Sequence, residues 1–343
     1  MINLEELKAE AKALLESQKV KYIVGFKAST AGYMSMPAFI YNPEEVDDLV
    51  WDPSCVHNLT RFLRDEKFRK AQEKEPDTRP IGMVVKGCDS RGINVLMQER
   101  YIKRQDIQII GVSCENTGVI NELKLNKRLE GQSIEKVEFG DNDNVIVTTS
   151  TGTEDIPALE VLDERCIECK HAFPVVYDSV YGEDCKEQPE EPFKSLVPYE
   201  SMDLDGRWDF FSDELNRCIR CYACRSVCPM CFCHECVVDS INIQVKPDTP
   251  AEEKAERTRW VEKSPVPSET FYFHMVRVIH LAGRCVDCGE CERVCPVQIP
   301  LRFMNKKVEK DSLDVFEYEA GMSPEGSALI SNYEENDPQD FIR

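Results

Sequence analysis

Two stretches of the chain repeat one arrangement of thiols: Cys218, Cys221, Cys224 and Cys228 before Pro229 in CIRCYACRSVCP, and Cys285, Cys288, Cys291 and Cys295 before Pro296 in CVDCGECERVCP. Three thiolates at i, i+3 and i+6 wrap one side of an iron–sulfur cubane, while a fourth that precedes proline is carried to the neighbouring cluster. The spacing therefore predicts two [4Fe-4S] clusters with exchanged ligands. One takes Cys218, Cys221, Cys224 and Cys295, and the other takes Cys285, Cys288, Cys291 and Cys228. Zinc on CxxC pairs needs only four thiolates and accounts for neither the third cysteine nor the proline of either copy. The chemistry predicted is electron transfer, with the exchange holding the clusters close enough for tunnelling.

Three more thiols, Cys231, Cys233 and Cys236, follow directly in MCFCHEC. With Cys185 or an N-terminal thiol they make a further cluster, with His234 they make a zinc tetrahedron, and a third reading leaves them as buried thiols without a ligand role. Cys88 in VVKGCDSRG, Cys114 in GVSCENTG, and Cys166 with Cys169 in RCIECKH total the four thiolates a cubane needs. A lone cysteine is ordinarily a small core hydrophobe; the equivalent positions of Cys88 and Cys114 past two strands favour ligation. Cys55, in DPSCVHNLT, is the alternate fourth member, placed by the pattern at a helix start that would stabilise a thiolate.

Groups for organic chemistry are sparse. The chain has neither GxGxxG nor GxxxxGK. Ser29, Thr30, Lys86 and Arg91 fall near predicted strand ends and are the candidates to meet the phosphates of a flavin such as FAD, against the plainer reading of solvent-facing polar residues. The histidines have no partner at catalytic spacing.

The elements that must position these thiols follow from periodicity. Residues 21–26, 82–86, 108–112 and 145–149 are short β-branched runs, and Ile93, Leu96, Met97 and Tyr101 recur at helical spacing between the second and third. Strand, helix and strand in that order predict a right-handed crossover with parallel strands, with Cys88 and Cys114 at one sheet edge. Residues 136–139 and 145–149 read as a hairpin, and 269–281 as a helix with Phe271, Met275, Val278 and Leu281 on its apolar face. The fold class expected is an α/β N-terminal domain with a partly parallel sheet, plus a mainly helical two-[4Fe-4S] ferredoxin-like domain. Its parts are residues 1–160, a cysteine-bearing linker or wrap at 161–215, the cluster domain at 216–300, and an acidic C-terminal tail at 301–343.

Composition narrows the class further. Of 343 residues, 63 are Asp or Glu against 42 Lys or Arg, a formal charge of -21, which disfavours a nucleic-acid groove or an anionic membrane face. No run reaches the roughly 20 apolar residues of a membrane span. The opening MINLEELKAEAKALL is acidic and amphipathic where a signal peptide is basic and then apolar. The chain thus reads as cytoplasmic, where its 17 cysteines favour cluster ligation over disulfides.

Taken together, EEVDDLVWDPSCVHNLTRFL, VVKGCDSRG and RCIECKHAFPVVYD, joined to CIRCYACRSVCPMCFCHEC and a second CxxC set, resemble the beta-subunit family of the deazaflavin-dependent hydrogenases and formate dehydrogenases. FHMVRVIHLAGRCVDCGEC looks like the helical two-cluster modules of respiratory iron–sulfur subunits and heterodisulfide reductase partners, with a compact β-containing two-cluster ferredoxin as the alternative. The resemblance implies an anaerobic iron–sulfur subunit that passes electrons between a catalytic subunit and a flavin-bearing subunit or soluble carrier. The alternative it implies is an FAD-containing subunit that itself reduces or oxidises a deazaflavin; an independent enzyme activity is left open.

Overall fold

The computed structural model describes residues 2–114, 118–141, 143–184, 189, 191–233, 236–238, 248–256, 261–262, 264–331 and 335. Contacts divide the chain into one unit of Met1–Lys194, Val286–Cys288 and Ala320–Ala328, and another of Ser195–Cys285, Gly289–Glu319 and Leu329–Arg343. The first change of unit falls after Lys194, between the breaks expected near residues 160 and 216.

In the N-terminal unit, α1 (Leu4–Glu16) is followed by β1 (Ile23–Ala28), β2 (Ser35–Ile40), α2 (Arg61–Gln72), β3 (Ile81–Val85), α3 (Gly87–Gln98) and β4 (Ile107–Val112). Then come α4 (Glu122–Arg128), β5 (Ile134–Phe139), β6 (Asn144–Thr149), β7 (Gly152–Pro157), the short α5 (Ala158–Val161) and α6 (Glu164–Ile167), and β8 (Ser179–Tyr181). The main sheet runs β2-β1-β3-β4-β8. β1 and β2 are antiparallel, whereas β1/β3, β3/β4 and β4/β8 are parallel. Every residue of β3 is buried, as expected of a central parallel strand. Helix α1 lays Leu7, Ala11, Leu14 and Leu15 on a core with Ile23, Val84, Ile110 and Val112, each large side chain contributing about 2 kcal/mol on burial.

The β3–α3–β4 crossover appears as predicted, with one difference: the helix begins at Gly87, not Ser90. Cys88 therefore sits in its first turn. The hairpin also forms, β5 against β6 with Phe139 opposite Val145, and β7 extends it to three strands. This small sheet packs Val137, Val145, Val147 and Ile156 against Leu125 and Leu129 of α4, with Cys166 and Ile167 along its margin.

The stretch expected as a linker is divided between the units, residues 161–194 in the first and 195–215 in the second. Its β8 supplies the fifth strand, Ile110 pairing with Ser179 and Val112 with Tyr181. Three residues are too few to show a period, and the strand exists because β4 offers an open edge. Asp178 fixes the register by accepting from Ile109 N–H at 2.7 Å and from Arg104 Nη2 at 2.6 Å.

The second unit contains α7 (Val197–Glu200), α8 (Leu204–Asn216), α9 (Ala223–Val227), α10 (Ala251–Glu256), α11 (Pro267–Leu281), α12 (Glu290–Arg293) and α13 (Leu301–Phe316). It has no strand among its described residues, so the ferredoxin-like part is helical. Residues 301–343 do not begin as a surface tail. Helix α13 buries Leu301, Arg302, Asn305, Lys306, Glu309 and Ser312, while Ala320–Ala328 returns to the first unit. The buried face of α11 also differs from expectation: it is Thr270, Phe273, His274, Arg277 and Leu281, and Met275 is exposed. An apolar period placed Phe271, Met275 and Val278 inward, but the interior here is lined with thiols, and polar donors take the face that meets them.

Candidate metal centres

Four half-buried thiols of the N-terminal unit lie within electrostatic reach of one another. Cys88 comes from the first turn of α3, Cys114 lies just past β4, Cys166 is in α6, and Cys169 is two residues beyond that helix. Their charges act on one another: Cys88, Cys166 and Cys169 all bear on Cys114, Cys88 bears on Cys169, and Cys169 on Cys166. Burial is the main influence on each, pushing Cys88 up to about 12, Cys166 and Cys169 up to about 11, and Cys114 well above the ordinary thiol range. Buried thiolates here need positive partners, and the fold provides them. Lys86 favours the thiolates of Cys88 and Cys114, Arg165 those of Cys88 and Cys166, and Arg91 that of Cys169. Val119 N–H donates to Cys166 Sγ at 3.4 Å, and His171 N–H donates to Cys169 Sγ at 3.4 Å. Four thiols in a pocket of buried cations and inward N–H donors fit an anionic thiolate cluster.

Local sequence explains how the four meet. Gly87 is required because a Cβ there would lie 1.8 Å from the carbonyl oxygen of His171, so the segment bearing Cys169 could not pass beside α3. Cys114 N–H donates to Ala172 O at 2.9 Å and Asp163 N–H to Val119 O at 3.0 Å, tying the Cys114 loop to the segment that carries Cys166 and Cys169.

Cys55 does not join this group. It lies six residues before α2, is fully buried, and its Sγ accepts from Asp52 N–H at 3.5 Å. Burial first, and the Asp52 carboxylate second, raise its thiol far above the usual range. The expected helix-start position is therefore replaced by a core position. Of the phosphate candidates, Lys86 and Arg91 are buried, whereas Ser29 and Thr30 are at least partly exposed. Lys86 is buried, donating to His57 O at 2.7 Å and Cys55 O at 3.2 Å, with Asp89 at 3.3 Å and the Phe26 ring beneath it. Arg91 is buried and donates to Ala320 O at 3.0 Å. Ser29 and Thr30 lie in the β1–β2 turn, where Ser29 Oγ accepts from Ala31 N–H. A cavity of about 370 Å³ lies elsewhere in the unit, lined by Trp51, Asp52, Ser113, Cys114, Lys136 and Phe139 among others.

In the second unit Cys218, Cys221, Cys224 and Cys295 line one small enclosed pocket. Burial raises Cys218 and Cys224, and the charges of the other thiols of the four raise them further. Arg220 N–H donates to Cys218 Sγ and Ile299 N–H to Cys295 Sγ, both at 3.4 Å. His274 Nε2 lies 3.3 Å from Cys218 Sγ, and Arg277 Nη1 donates to Cys224 Sγ at 3.1 Å. Burial, with Arg277 and Arg220 beside it, pushes His274 down to about 3, so the ring is neutral at neutral pH.

The duplication extends to the backbone: Arg220 and Tyr222 in one copy, and Asp287 and Gly289 in the other, all have φ between 53° and 65°. Left-handed residues at the second and fourth positions after the first cysteine curl each loop into the same shape. Of the second expected set, Cys285 raises Cys291 after burial does, and Asn305 Nδ2 donates to Cys291 Sγ at 3.8 Å.

A third group of thiols is adjacent. Cys233 is raised by burial and by Cys236 and Cys231, and is lowered by Arg284 and Arg225. A hydrogen bond with Cys228, helped by Arg277 and Arg284 against burial, pulls Cys231 down to about 5. His234 and Cys185, the expected completing ligands, lie outside the described residues. The cations Arg165, Arg220 and Arg277 were absent from the sequence-derived candidates. No sequence signal marked them, since the apolar period of α11 pointed to Phe271, Met275 and Val278 and not to Arg277.

Residues 214–299 match the family model of the 4Fe-4S dicluster domain. With the fold and thiol groups above, this defines an iron–sulfur electron-transfer protein. The chain is 23% identical over 371 residues to the F420-dependent formate dehydrogenase subunit beta of Methanocaldococcus jannaschii, covering 91% of this chain and 90% of that one. It is also 23% identical over 377 residues to the F420-dependent formate dehydrogenase 1 subunit beta of Methanococcus maripaludis, covering 93% and 91%. A chain of the F420-reducing [NiFe] hydrogenase complex of Methanosarcina barkeri matches 48% of this chain and 58% of its own length, with 12% identity and a TM-score of 0.37. The resemblance to deazaflavin-linked formate dehydrogenase beta subunits thus runs along nine-tenths of the chain. Among the described residues no helix is long and apolar enough to cross a membrane.

Proposed function

We propose that the protein is the electron-relay subunit of an oxidoreductase complex, holding [4Fe-4S] clusters at three sites. These are Cys88, Cys114, Cys166 and Cys169; Cys218, Cys221, Cys224 and Cys295; and Cys285, Cys288, Cys291 and Cys228. Such clusters, when bound, supply one-electron transfer. The chain's own contribution is to keep the thiolates dry, compensated and fixed in place. The observation that carries the reading is four half-buried thiols of the N-terminal unit within electrostatic reach of one another, set among the buried cations Lys86, Arg91 and Arg165. A core that merely used cysteine as a small apolar residue would not surround it with buried cations. The partners on this reading are a catalytic subunit and a flavin-bearing subunit or soluble carrier, in the reducing cytoplasm of an anaerobe. Cys231, Cys233 and Cys236 form a further centre, taking iron or zinc. Iron and acid-labile sulfide analysis of anaerobically purified complex tests this: Cys166→Ser should lose about four irons per chain while the signals of the paired clusters persist, and an unchanged count counts against the N-terminal site.

A second reading, a subunit that itself binds FAD, is favoured by the 370 Å³ cavity, which has Trp51 and Phe139 in its wall and Cys114 beside them. Its volume is within the range of about 300–1,000 Å³ typical of small-molecule sites. Flavin extraction, followed by carrier reduction with and without the co-purifying subunits, separates the two readings.

A further inference from the structure

Of the thiols in the two ferredoxin-type sets, Cys288 alone falls in the first unit, in the short stretch Val286–Cys288. It is met there by Arg165, the residue before Cys166. Asp163 at the start of α6 accepts from Arg165 N–H at 3.2 Å, and its other carboxylate oxygen lies 3.6 Å from Arg165 Nε. Beyond Nε the buried guanidinium opens into a fork, Nη1 donating to Cys288 O and Nη2 to Val56 O at 2.9 Å. Two carbonyls from distant segments are thus held by one rigid, charged plane. The N-terminal thiols are tied to the same residue through the backbone. Cys169 N–H donates to Cys166 O at 3.2 Å, Gly118 N–H donates to Cys114 O at 3.2 Å, and a Cβ on Gly118 would fall 2.9 Å from Cys166 Sγ. The other segment that returns to this unit, Ala320–Ala328, is held from α3, the helix of Cys88: Arg91 Nε donates to Ala320 O at 3.0 Å and Asn94 Nδ2 to Gly321 O at 2.9 Å.

We propose that Arg165 is a positioning residue that clamps the Cys288 loop to the Cys166 segment. It thereby makes the cluster of Cys285, Cys288, Cys291 and Cys228 the direct electron-exchange neighbour of the N-terminal cluster, and the cluster of Cys218, Cys221, Cys224 and Cys295 is reached only through it. This rests on the ligand sets proposed above. In the exchange one electron leaves the reduced cluster and enters the oxidised one, and no bond forms or breaks. Such a step slows steeply with separation, so a contact that fixes two ligand-bearing segments side by side governs it without itself binding iron. The role belongs to the fork and not to the charge alone. A lysine would carry the same charge, but as a single point donor it does not hold two carbonyls in a fixed plane.

Pulsed electron paramagnetic resonance of the fully reduced, complete chain tests this, because the dipolar splitting between two reduced clusters falls as the inverse cube of their separation. Iron content and midpoint potentials are measured on every variant. The signal that disappears in Cys166→Ser is the N-terminal cluster's, and in wild type it should be split by a neighbour. Cys285→Ser should abolish that splitting, and Cys221→Ser should leave it. Arg165→Lys should keep wild-type iron and the N-terminal midpoint while losing most of the splitting, and Arg165→Gln should lose as much. If the glutamine variant does not load, the lysine variant carries the test. Wild-type splitting in Arg165→Lys overturns the clamp, and loss of the N-terminal iron from both variants overturns it too by confining Arg165 to building that site. An unsplit wild-type signal, or splitting that survives Cys285→Ser or vanishes in Cys221→Ser, overturns the order of the clusters. If Cys166→Ser removes neither iron nor a signal, the ligand sets fail instead, and the iron count distinguishes that failure from the others.

Discussion

Gly118 lies against Cys166 so closely that a Cβ built on it would fall 2.6 Å from the cysteine Cβ and 2.9 Å from its sulfur, and its φ is +73°. The left-handed backbone and the contact impose glycine independently. Together they bring Gly118 onto α6, where the neighbouring Val119 N–H meets the same sulfur. Gly118→Ala should therefore displace Cys166 and lower iron by about four atoms per chain while leaving the signals of the paired clusters. Unchanged iron in a folded Gly118→Ala protein would show that Cys166 is not a ligand.

Cys55 and Cys114 give opposite expectations although both are cysteines of the same unit, the first buried and the second half-buried. Cys55 Sγ packs in the core and contacts the 50–52 backbone, so Cys55→Ala should retain full iron and lose about 1 kcal/mol of stability, a typical cost for a small cavity. Cys114 feels the charges of Cys88, Cys166 and Cys169, so Cys114→Ala should lose one cluster. Iron content alongside a denaturant melt checks both, and the reverse outcome would make Cys55 the fourth ligand.

These two cysteines also show where sequence reasoning stops. The CxxCxxCxxxCP copies and the β3–α3–β4 crossover are local patterns, so spacing and periodicity reveal them. Whether a lone cysteine is a ligand depends on which distant segment packs beside it: Gly87 lets the His171 backbone through, and Gly118 does the same for Cys166. Likewise Arg277 and Cys224 are 53 residues apart, and nothing in a helix read for apolar period marks Arg277 as inward-facing. Strand β8 was missed because three residues carry no period. The expected tail was misassigned because the acidic composition of residues 301–343 conceals an amphipathic helix at its start.

Glu66 reports on the fold apart from the thiols. It is buried on α2, paired with Lys21, and accepts from Tyr22 Oη at 2.6 Å and Arg69 Nη2 at 2.8 Å. Burial alone would raise its carboxyl, but the hydrogen bonds from Lys21, Tyr22 and Arg69 outweigh it and hold the group below the usual range of 4.5. A carboxylate depressed in the folded state stabilises fully above its unfolded value and loses that contribution as pH falls through its folded value. Melting temperature should therefore drop as the pH is lowered below about 4.5, and Glu66→Gln should be less stable at pH 7 with a flatter acid limb. A variant with the wild-type acid profile would assign the limb to other carboxylates.

The cavity beside Cys114 separates the relay reading from the flavin one, because its wall shares no residue with Ser29, Thr30, Lys86 or Arg91. Trp51 and Phe139 face one another with ring centroids 6.4 Å apart at 36°, and Lys136 supplies a cation to the same wall. Aromatic walls favour a planar heterocycle by offset stacking, worth about 0.5–1.5 kcal/mol per pair beyond burial. If flavin binds there, Trp51→Ala should weaken it by up to roughly tenfold, the ratio that about 1.4 kcal/mol represents. Ser29→Ala and Thr30→Ala should leave flavin occupancy unchanged. Flavin released from anaerobically isolated protein by acid and measured by fluorescence reads all three variants, with iron content as the check on folding. Loss of flavin in the Ser29 or Thr30 variant with full retention in Trp51→Ala would move the flavin site to the β1–β2 turn and leave the cavity without a ligand role.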